Sequence, residues 1–465
     1  MSATKSLALA LLLAACTAPV DPQSSGVEAP SLWQRLQGED APAALTGSKD
    51  AAIEQQWWKQ FNDPVLDQLV GDALANNKSL AIAKARIEEA RANRVGTRSR
   101  LLPQISGAAQ ATRQNPGALF GDTPYSMQQA QLDTAWEIDL FGKNQARTAQ
   151  ATALLESEEA TAQGVRVSLL AELARTYFEL REAALQIGIT QENITAQQRT
   201  FSITQAQFEG AFVSRLDVER AGTQLAITQA QLPLWQAQRD AARNRLNVLL
   251  GKPPGGVDAL LADAAPQPAL PEQIVIAAPA QVLANRPDVR AAERQFAAAV
   301  AGADAATREL FPTISLSAFF GVQNFNDLSA KPWGVGANLT QPILNFGRIE
   351  AGIDAANARE QQAFLTYQQT VLEALADMET ALSRYLNEGQ RNRALAEATT
   401  RSNASLTLAR RQYREGESAL LDLLIVERDA LAAESAQATS DAALRQQLVA
   451  IYAAAGGGWA DPATP

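Results

Sequence analysis

Histidine is absent from the 465 residues, and cysteine occurs once, as Cys16. The first absence removes the commonest general base and the commonest metal ligand. The second excludes a disulfide framework within the chain and any cysteine-rich metal site. No block of basic residues occurs either: 40 Lys and Arg stand against 50 Asp and Glu, a net charge of −10 with a pI near 4.9. An acidic chain of this kind is a poor binder of nucleic acid, so no nucleic-acid partner is expected. There is no glycine-rich phosphate loop of the P-loop kind. Aromatics are sparse, at 6%. Together these absences weigh against an enzyme, and no cofactor, metal or catalytic residue is expected, although carboxylate-only catalysis stays open on composition alone. What is abundant is Ala, Gln, Leu and Glu, which favours long helices.

The chain begins "MSATKSLALALLLAAC". Lys5 supplies a positive start, and Leu7–Leu13 is an apolar run too short to span a bilayer as a helix. Leu13-Ala14-Ala15-Cys16 resembles the bacterial lipobox, in which cleavage precedes the cysteine and the cysteine is lipidated. An ordinary secretory signal with a chance cysteine is the alternative, but the sole cysteine falls at the one position a lipobox needs. Residues 1–15 are therefore expected to be a signal peptide and Cys16 an acylated, palmitate-bearing anchor. Thr17 follows, where an aspartate would resemble an inner-membrane retention signal, so the outer membrane is favoured. Residues 16–50 read as a lipidated tether rich in Pro, Ala, Ser and Gly. A single lipidated terminus rarely anchors a protein alone, so a further hold on the membrane is expected.

From Ala51 the chain repeats one plan twice. A helical run reaches Leu101-Leu102-Pro103, and another reaches Leu310-Phe311-Pro312. Pro103 and Pro312 end the helical register, because the residue before a proline is pushed toward extended geometry. Alternating segments follow each proline, broken by a turn-rich stretch ("QNPGALFGDTP", "QNFNDLSAKP") and resumed at Tyr125–Phe141 and Trp333–Phe346. Weak alternation over about ten residues suits a transmembrane β-strand or a small soluble sheet equally. Phe141-Gly142 and Phe346-Gly347 then open very long helical runs. The offset from Gly142 to Gly347 is 205 (347 − 142), and it holds at Phe208/Tyr413, Leu216/Leu421 and Asp217/Asp422. A sustained offset marks an internal duplication. In the first run Leu169, Leu173, Tyr177, Leu180, Ala184 and Ile187 step by three and four, placing a narrow apolar stripe on one face. At ~1.5 Å per residue the run is roughly 95 Å long, so it must pair with other long helices. Returning helices are expected at about Leu216–Leu250 and Leu421–Ala455.

Three motifs complete the picture: "WWKQFNDPVLDQLV" at Trp57–Val70, "NRPDVRAAERQ" at Asn285–Gln295, and "YAAAGGGW" at Tyr452–Trp459. In this order, with the duplication and the lipobox, they resemble the bacterial outer-membrane efflux channels of the TolC/OprM type, and within them the lipoprotein NodT-type subgroup. The resemblance covers nearly the whole mature chain. It implies a mainly α fold with a membrane β-barrel portion: a homotrimer, four strands per chain, a 12-stranded barrel across the outer membrane, and a long periplasmic α-helical barrel. On that plan residues 51–100 are equatorial helices, 101–141 a first β-hairpin, 142–255 a long helix with tip and returning helix, and 256–309 a linker with a second equatorial helix. Residues 310–346 are the second hairpin, 347–459 the second long-helix unit, and 460–465 a tail. Trp57 and Trp58 read as core or interface aromatics rather than a ligand-binding pair, and Trp333 as a membrane-interface anchor or an ordinary strand residue.

The resemblance also assigns a periplasmic gate to the tips. "YREGESALLDLLIVERDA" at Tyr413–Ala430 is similar to the family's second tip, with Tyr413 and Gly416 at the turn. In the first tip, at Phe208–Ala221, Ala211 holds the aligned place and Gly210 precedes it, so a turn shifted by one residue is possible there. Asp422 matches an aspartate that forms a constricting ring, Asp217 is its counterpart, and Leu421 matches a leucine constriction. A second family aspartate is replaced by Ile425. A gate of Leu421 with Asp422, braced by Arg215 or Arg428, is expected, and it would favour cations. By itself Asp422 reads only as an exposed aspartate near a turn. Arg215, Glu219, Glu427 and Arg428 read as solvated helix charges. The implied function is a passive exit duct for drugs or other small toxic substrates. The implied partners are a periplasmic adaptor (membrane fusion protein), an RND-type proton-driven inner-membrane pump, and outer-membrane lipid. Two alternatives stand beside it: the outer-membrane component of a protein or peptide secretion system, and a non-conducting, lipid-anchored periplasmic coiled-coil protein.

Overall fold

The structure, a computed structural model, describes residues 25–36, 45–48, 53–115, 117, 123–261, 267–271, 273–326 and 328–459. Cys16, the segment 1–15, parts of the 16–50 tether and the tail 460–465 lie outside the described residues. In chain order the elements are β1 (Leu45–Ser48), α1 (Pro64–Asn76), α2 (Lys78–Arg98), β2 (Gln104–Gln114), β3 (Tyr125–Ile138), α3 (Lys143–Glu209) and α4 (Arg215–Leu249). There follow α5 (Asp258–Leu261), β4 (Ile274–Ala277), α6 (Pro279–Asn285), α7 (Pro287–Thr307), β5 (Thr313–Phe325), β6 (Leu328–Ala330), β7 (Trp333–Thr340), α8 (Arg348–Glu415) and α9 (Leu420–Ala454). The fold is mainly α with one principal sheet, laid out as two repeats. Among the described residues no helix is long and apolar enough to cross a membrane.

The residues divide into two compact units. One takes in Ala85–Ala160 and Asp288–Val371, with residues 25–27. Its sheet is antiparallel in the order β2-β3-β5-β7, with the three-residue β6 pairing the end of β5. The edges β2 and β7 each pair on one side only. Residues facing each other across an antiparallel ladder share a face, and successive residues alternate faces. The register Leu132↔Phe320, Gly107↔Leu132 and Phe320↔Trp333 therefore collects one apolar face. It holds Ile105, Ala109, Leu132, Trp136, Leu316, Phe320, Val322, Val335 and Leu339. Much of it is uncovered: Ile105 is 72% exposed and Val335 79%. The opposite face carries Ser106, Gln110, Gln129, Gln131, Asp133, Glu137, Ser315 and Asn338. A sheet whose apolar face is this exposed departs from the usual soluble pattern, in which the apolar face packs on a core.

The helix-to-strand handovers are built alike. After α2 a single 3-10 turn ends at Leu101, and after α7 one ends at Leu310. The Leu101 carbonyl accepts the Trp136 indole N–H at 3.0 Å, and the Leu310 carbonyl accepts the Gln341 amide at 3.1 Å. Trp136 and Gln341 are the offset-205 pair (341 − 136). Phe141 and Phe311 stack with centroids 5.0 Å apart. The Arg308 guanidinium donates to the Phe141 carbonyl and passes over Gly142, where a Cβ would meet it at 2.0 Å. Gly142 also has φ +75°, so a side chain is excluded there both sterically and by backbone conformation.

The other unit takes in Glu28–Lys84, Thr161–Pro287 and residues from Leu372 onward. Its core joins Trp33, Trp57, Phe61, Leu69, Leu170, Leu173, Tyr177, Phe178, Leu246, Met378, Leu448 and Tyr452. Of the α3 stripe, Leu169, Leu173, Tyr177, Leu180 and Ile187 are buried. Trp57 stacks on Tyr452 at 5.4 Å and meets Trp58 edge-on at 5.8 Å, so the tryptophan pair belongs to the core. Burying a large side chain of this kind contributes about 1.5–3 kcal/mol. Asp63 starts α1 by accepting the Val65 and Leu66 amides, Pro64 sits at the first helical position, and the Tyr177 hydroxyl donates to the second Asp63 oxygen at 2.6 Å. Asn77 separates α1 from α2: its side chain accepts the Leu80 amide and donates to the Leu249 carbonyl. β1 and β4 form a small parallel pair that periodicity does not reveal, because each strand has only four residues.

Candidate functional site

The two tips, α3–α4 and α8–α9, lie in one unit and use the same backbone turn. After α8 the Glu417 amide donates to the Gln412 carbonyl and the Gly416 amide to Tyr413, with Gly416 at φ +76°. After α3 the Phe212 amide donates to Gln207 and the Ala211 amide to Phe208, with Ala211 at φ +62°. Both are Schellman caps. The expected one-residue shift toward Gly210 is therefore corrected: Ala211 itself takes the left-handed position, and Gly210 continues the helical hydrogen bonding to Ala206. Gly210 matters for a different reason, since a Cβ there would meet the Phe212 ring at 2.8 Å. A left-handed alanine costs roughly 1 kcal/mol relative to glycine. Ala211→Gly should accordingly raise the stability of the first tip by about that amount, seen as slower amide exchange at 207–214.

The helices leaving the turns start differently. Ser214 caps α4 and forms a reciprocal capping box with Asp217, whose carboxylate accepts the Ser214 amide at 3.1 Å and hydroxyl at 2.7 Å. That hydroxyl contact, against an opposing effect of burial and helped by the Ser214 amide and nearby Arg220, holds the Asp217 carboxyl below its usual range. At the start of α9 the capping place is Ala419, with no side-chain cap, and no hydrogen bond or ion pair reaches the Asp422 carboxylate among the described residues. One turn of α9 sorts its side chains sharply. Leu420, Leu423 and Leu424 are buried with Ala221 against Phe201, Leu406 and Tyr413, while Leu421, Asp422 and Ile425 are exposed. Tyr413 donates to Gln207 at 3.0 Å, tying the second turn to the first; its counterpart Phe208 is exposed.

Within one chain, among the described residues, Arg215 pairs with Glu219 on its own helix at 3.4 Å and Arg428 with Asp429. Arg220 is the cation beside Asp217, at 3.8 Å. Glu427 is not a solvated charge: its side chain is 2% exposed and is held by Arg410 at 3.3 Å. Burial pushes its carboxyl above the usual range, and Arg410 partly offsets that. The Ser214-x-x-Asp217 spacing was a legible capping signal. Nothing in the sequence singled out Arg410. Pro103 and Pro312 sit between the 3-10 turns and β2 and β5. Among the described residues no cluster of acidic, cysteine or histidine side chains is placed to hold a metal ion.

Residues 69–252 and 278–457 match the family described as Outer membrane efflux protein, one match for each half of the duplication. The chain is 31% identical over 466 residues to the pyoverdine export outer membrane protein OpmQ of Pseudomonas aeruginosa, covering 97% of this chain and 95% of that one. It is 29% identical over 427 residues to nodulation protein T of Rhizobium leguminosarum bv. trifolii, covering 90% and 89%. Among solved structures it is similar to the outer-membrane channel OprN, with a TM-score of 0.84, 34% identity, and coverage of 96% of this chain and all of that one. OpmQ is named as an export protein and OprN as an outer-membrane channel. With both repeats matched and the similarity running nearly end to end, the chain belongs to the outer membrane efflux protein family.

Proposed function

We propose that three copies of this chain form an exit duct through the outer membrane. It passively conducts drugs or other small toxic molecules handed over by an RND-type proton-driven inner-membrane pump and a periplasmic adaptor. The observation that carries the proposal is the sheet β2-β3-β5-β7, with an exposed apolar face and two unpaired edges. Open strand edges cannot face lipid, so copies must close on one another. Three sheets of four long strands give twelve (3 × 4), enough for a water-filled lumen lined by the polar face. The long helices α3, α4, α8 and α9 form the periplasmic tunnel, and the tips form its gate, with Asp422, Leu421 and Ile425 toward the axis and Asp217 beside them. Cys16 carries the lipid that secures the N-terminus to the membrane.

Purified protein should crosslink as trimers and conduct ions in planar bilayers. Trimers that never conduct, even with altered tips, would leave the structural coiled-coil alternative standing instead. Export of pyoverdine is the named role of OpmQ; for this chain the cargo class is small molecules, read out by profiling a deletion strain against toxic compounds. Cys16→Ser should abolish labelling by radioactive palmitate, and labelling that persists would remove the anchor from the proposal.

A further inference from the structure

We propose that Asp133 and Phe319 form a selectivity girdle inside the barrel lumen, a second filter remote in sequence from the tips, that favours organic cations with an apolar body. The proposal rests on the barrel reading above, which turns the polar face of the sheet inward and sets three copies of each residue around one lumen.

Asp133 and Phe319 are directly paired across β3 and β5, and Ser106 and Gly334 continue the same row onto β2 and β7. Directly opposed residues bring their Cβ atoms to about 5 Å. Of the strand residues on the polar face, only Asp133 and Glu137 are charged, and Glu137 is neutralised by Lys143 at 2.7 Å. Among the described residues no cation pairs with Asp133. Its contact is with a directed amide ladder: Gln129 donates to Gln131 at 2.6 Å, and Gln131 donates to one Asp133 oxygen. The ladder orients the carboxylate and satisfies one of its two oxygens, leaving acceptor capacity on the other. Phe319 leans the other way. A Cβ on Gly334 would lie 2.5 Å from its ring, so the ring rests on the bare backbone of β7. Phe319 is 40% exposed, so an aromatic surface and a carboxylate border the same level of the lumen. Glycine at 334 is what keeps the ring down. A ring of carboxylates attracts cations, and an aromatic ring adds a cation–π and apolar contact that small hydrated ions do not exploit.

The test uses the full-length trimer in planar bilayers under a KCl gradient, on an Asp422→Asn background so that the Asp422 carboxylates contribute nothing and the comparison isolates Asp133. The background channel should remain cation-selective. Adding Asp133→Asn, which keeps an acceptor for Gln131, should lower the potassium-to-chloride permeability ratio roughly threefold, and Asp133→Glu should not. Tetraphenylphosphonium applied from the outer side should block the background channel, with a half-blocking concentration about fivefold higher in Asp133→Asn and about threefold higher in Phe319→Leu. Tetraphenylborate, the anion of the same shape, should block far less, a comparison that needs no variant. Equal block by both ions, or a conducting Asp133→Asn channel with unchanged selectivity and block, overturns the girdle while leaving the duct intact. Trimers that conduct in neither the wild-type nor the Asp422→Asn form overturn both.

Discussion

Asp422→Ala should raise single-channel conductance at least about threefold while leaving thermal stability unchanged, whereas Asp217→Ala should lower the stability of the tip by about 1 kcal/mol. The two aspartates occupy the same place in the repeat, but their surroundings differ. Asp217 is consumed by the capping box with Ser214 and neighboured by Arg220. Asp422 follows an alanine cap, is exposed, and has no partner among the described residues. In the proposed trimer its copies would repel one another and attract hydrated cations, so removing them should change conduction without removing a folded-state contact. Leu421 and Ile425 are exposed on the same turn and remain in the single variant, so the channel should widen electrostatically more than sterically. The Asp217 contribution also has a pH signature. Because its carboxyl is held below the ordinary aspartate value of 3.8, its stabilisation is present above that value and is lost as pH falls through the lowered one. Single-channel recording paired with amide exchange at the two tips separates these effects. Equal conductance changes from both variants, with equal loss of protection, would contradict the assignment.

Arg286→Ala should cost about 1–3 kcal/mol. Arg286 ends α6, and its side chain is 9% exposed. The guanidinium donates to the Ala374 carbonyl inside α8, to the Ala454 carbonyl at the end of α9, and to Asp377 at 3.1 Å. It therefore satisfies a carbonyl that the end of α9 leaves open and joins three helices at one point. Truncation takes the partner from the Ala454 carbonyl at the end of α9, whereas the Ala374 carbonyl lies inside α8 and Asp377 is 60% exposed to solvent. Arg286→Lys should recover only part of the loss, because a point charge cannot serve three acceptors in the planar fork geometry. Chemical denaturation of the detergent-solubilised protein reads both variants. A loss below about 1 kcal/mol in the alanine variant would mean that the neighbouring backbone closes over the gap.

The repeat, the long helices and the strand segments were legible because each depends on periodicity sustained over many residues. α3 begins at Lys143 and ends at Glu209, close to the limits set by Gly142 and the tip. The β1–β4 pair was not legible, since four residues carry no period. At the tips, Asp422 stood out by position, but what distinguishes it from Asp217 is the residue three places earlier, Ala419 against Ser214. Arg410 escaped notice and Glu427 read as a solvated charge because burial of a helix charge depends on the partner helix, not on its own sequence. The girdle residues Asp133 and Phe319 lie about 190 positions apart, and only the strand register brings them together.

The paired junction bonds bear on how the two halves diverged. Trp136 and Gln341 share no chemistry beyond a side-chain N–H, yet each delivers that N–H to the last carbonyl of the incoming 3-10 turn. The two halves thus make the same junction bond with an aromatic in one and an amide in the other. A substitution table scores the position as unrelated, although the hydrogen bond is the same. Comparing donors and acceptors position by position, rather than residue names, would therefore recover more of the ancient half-chain than identity does.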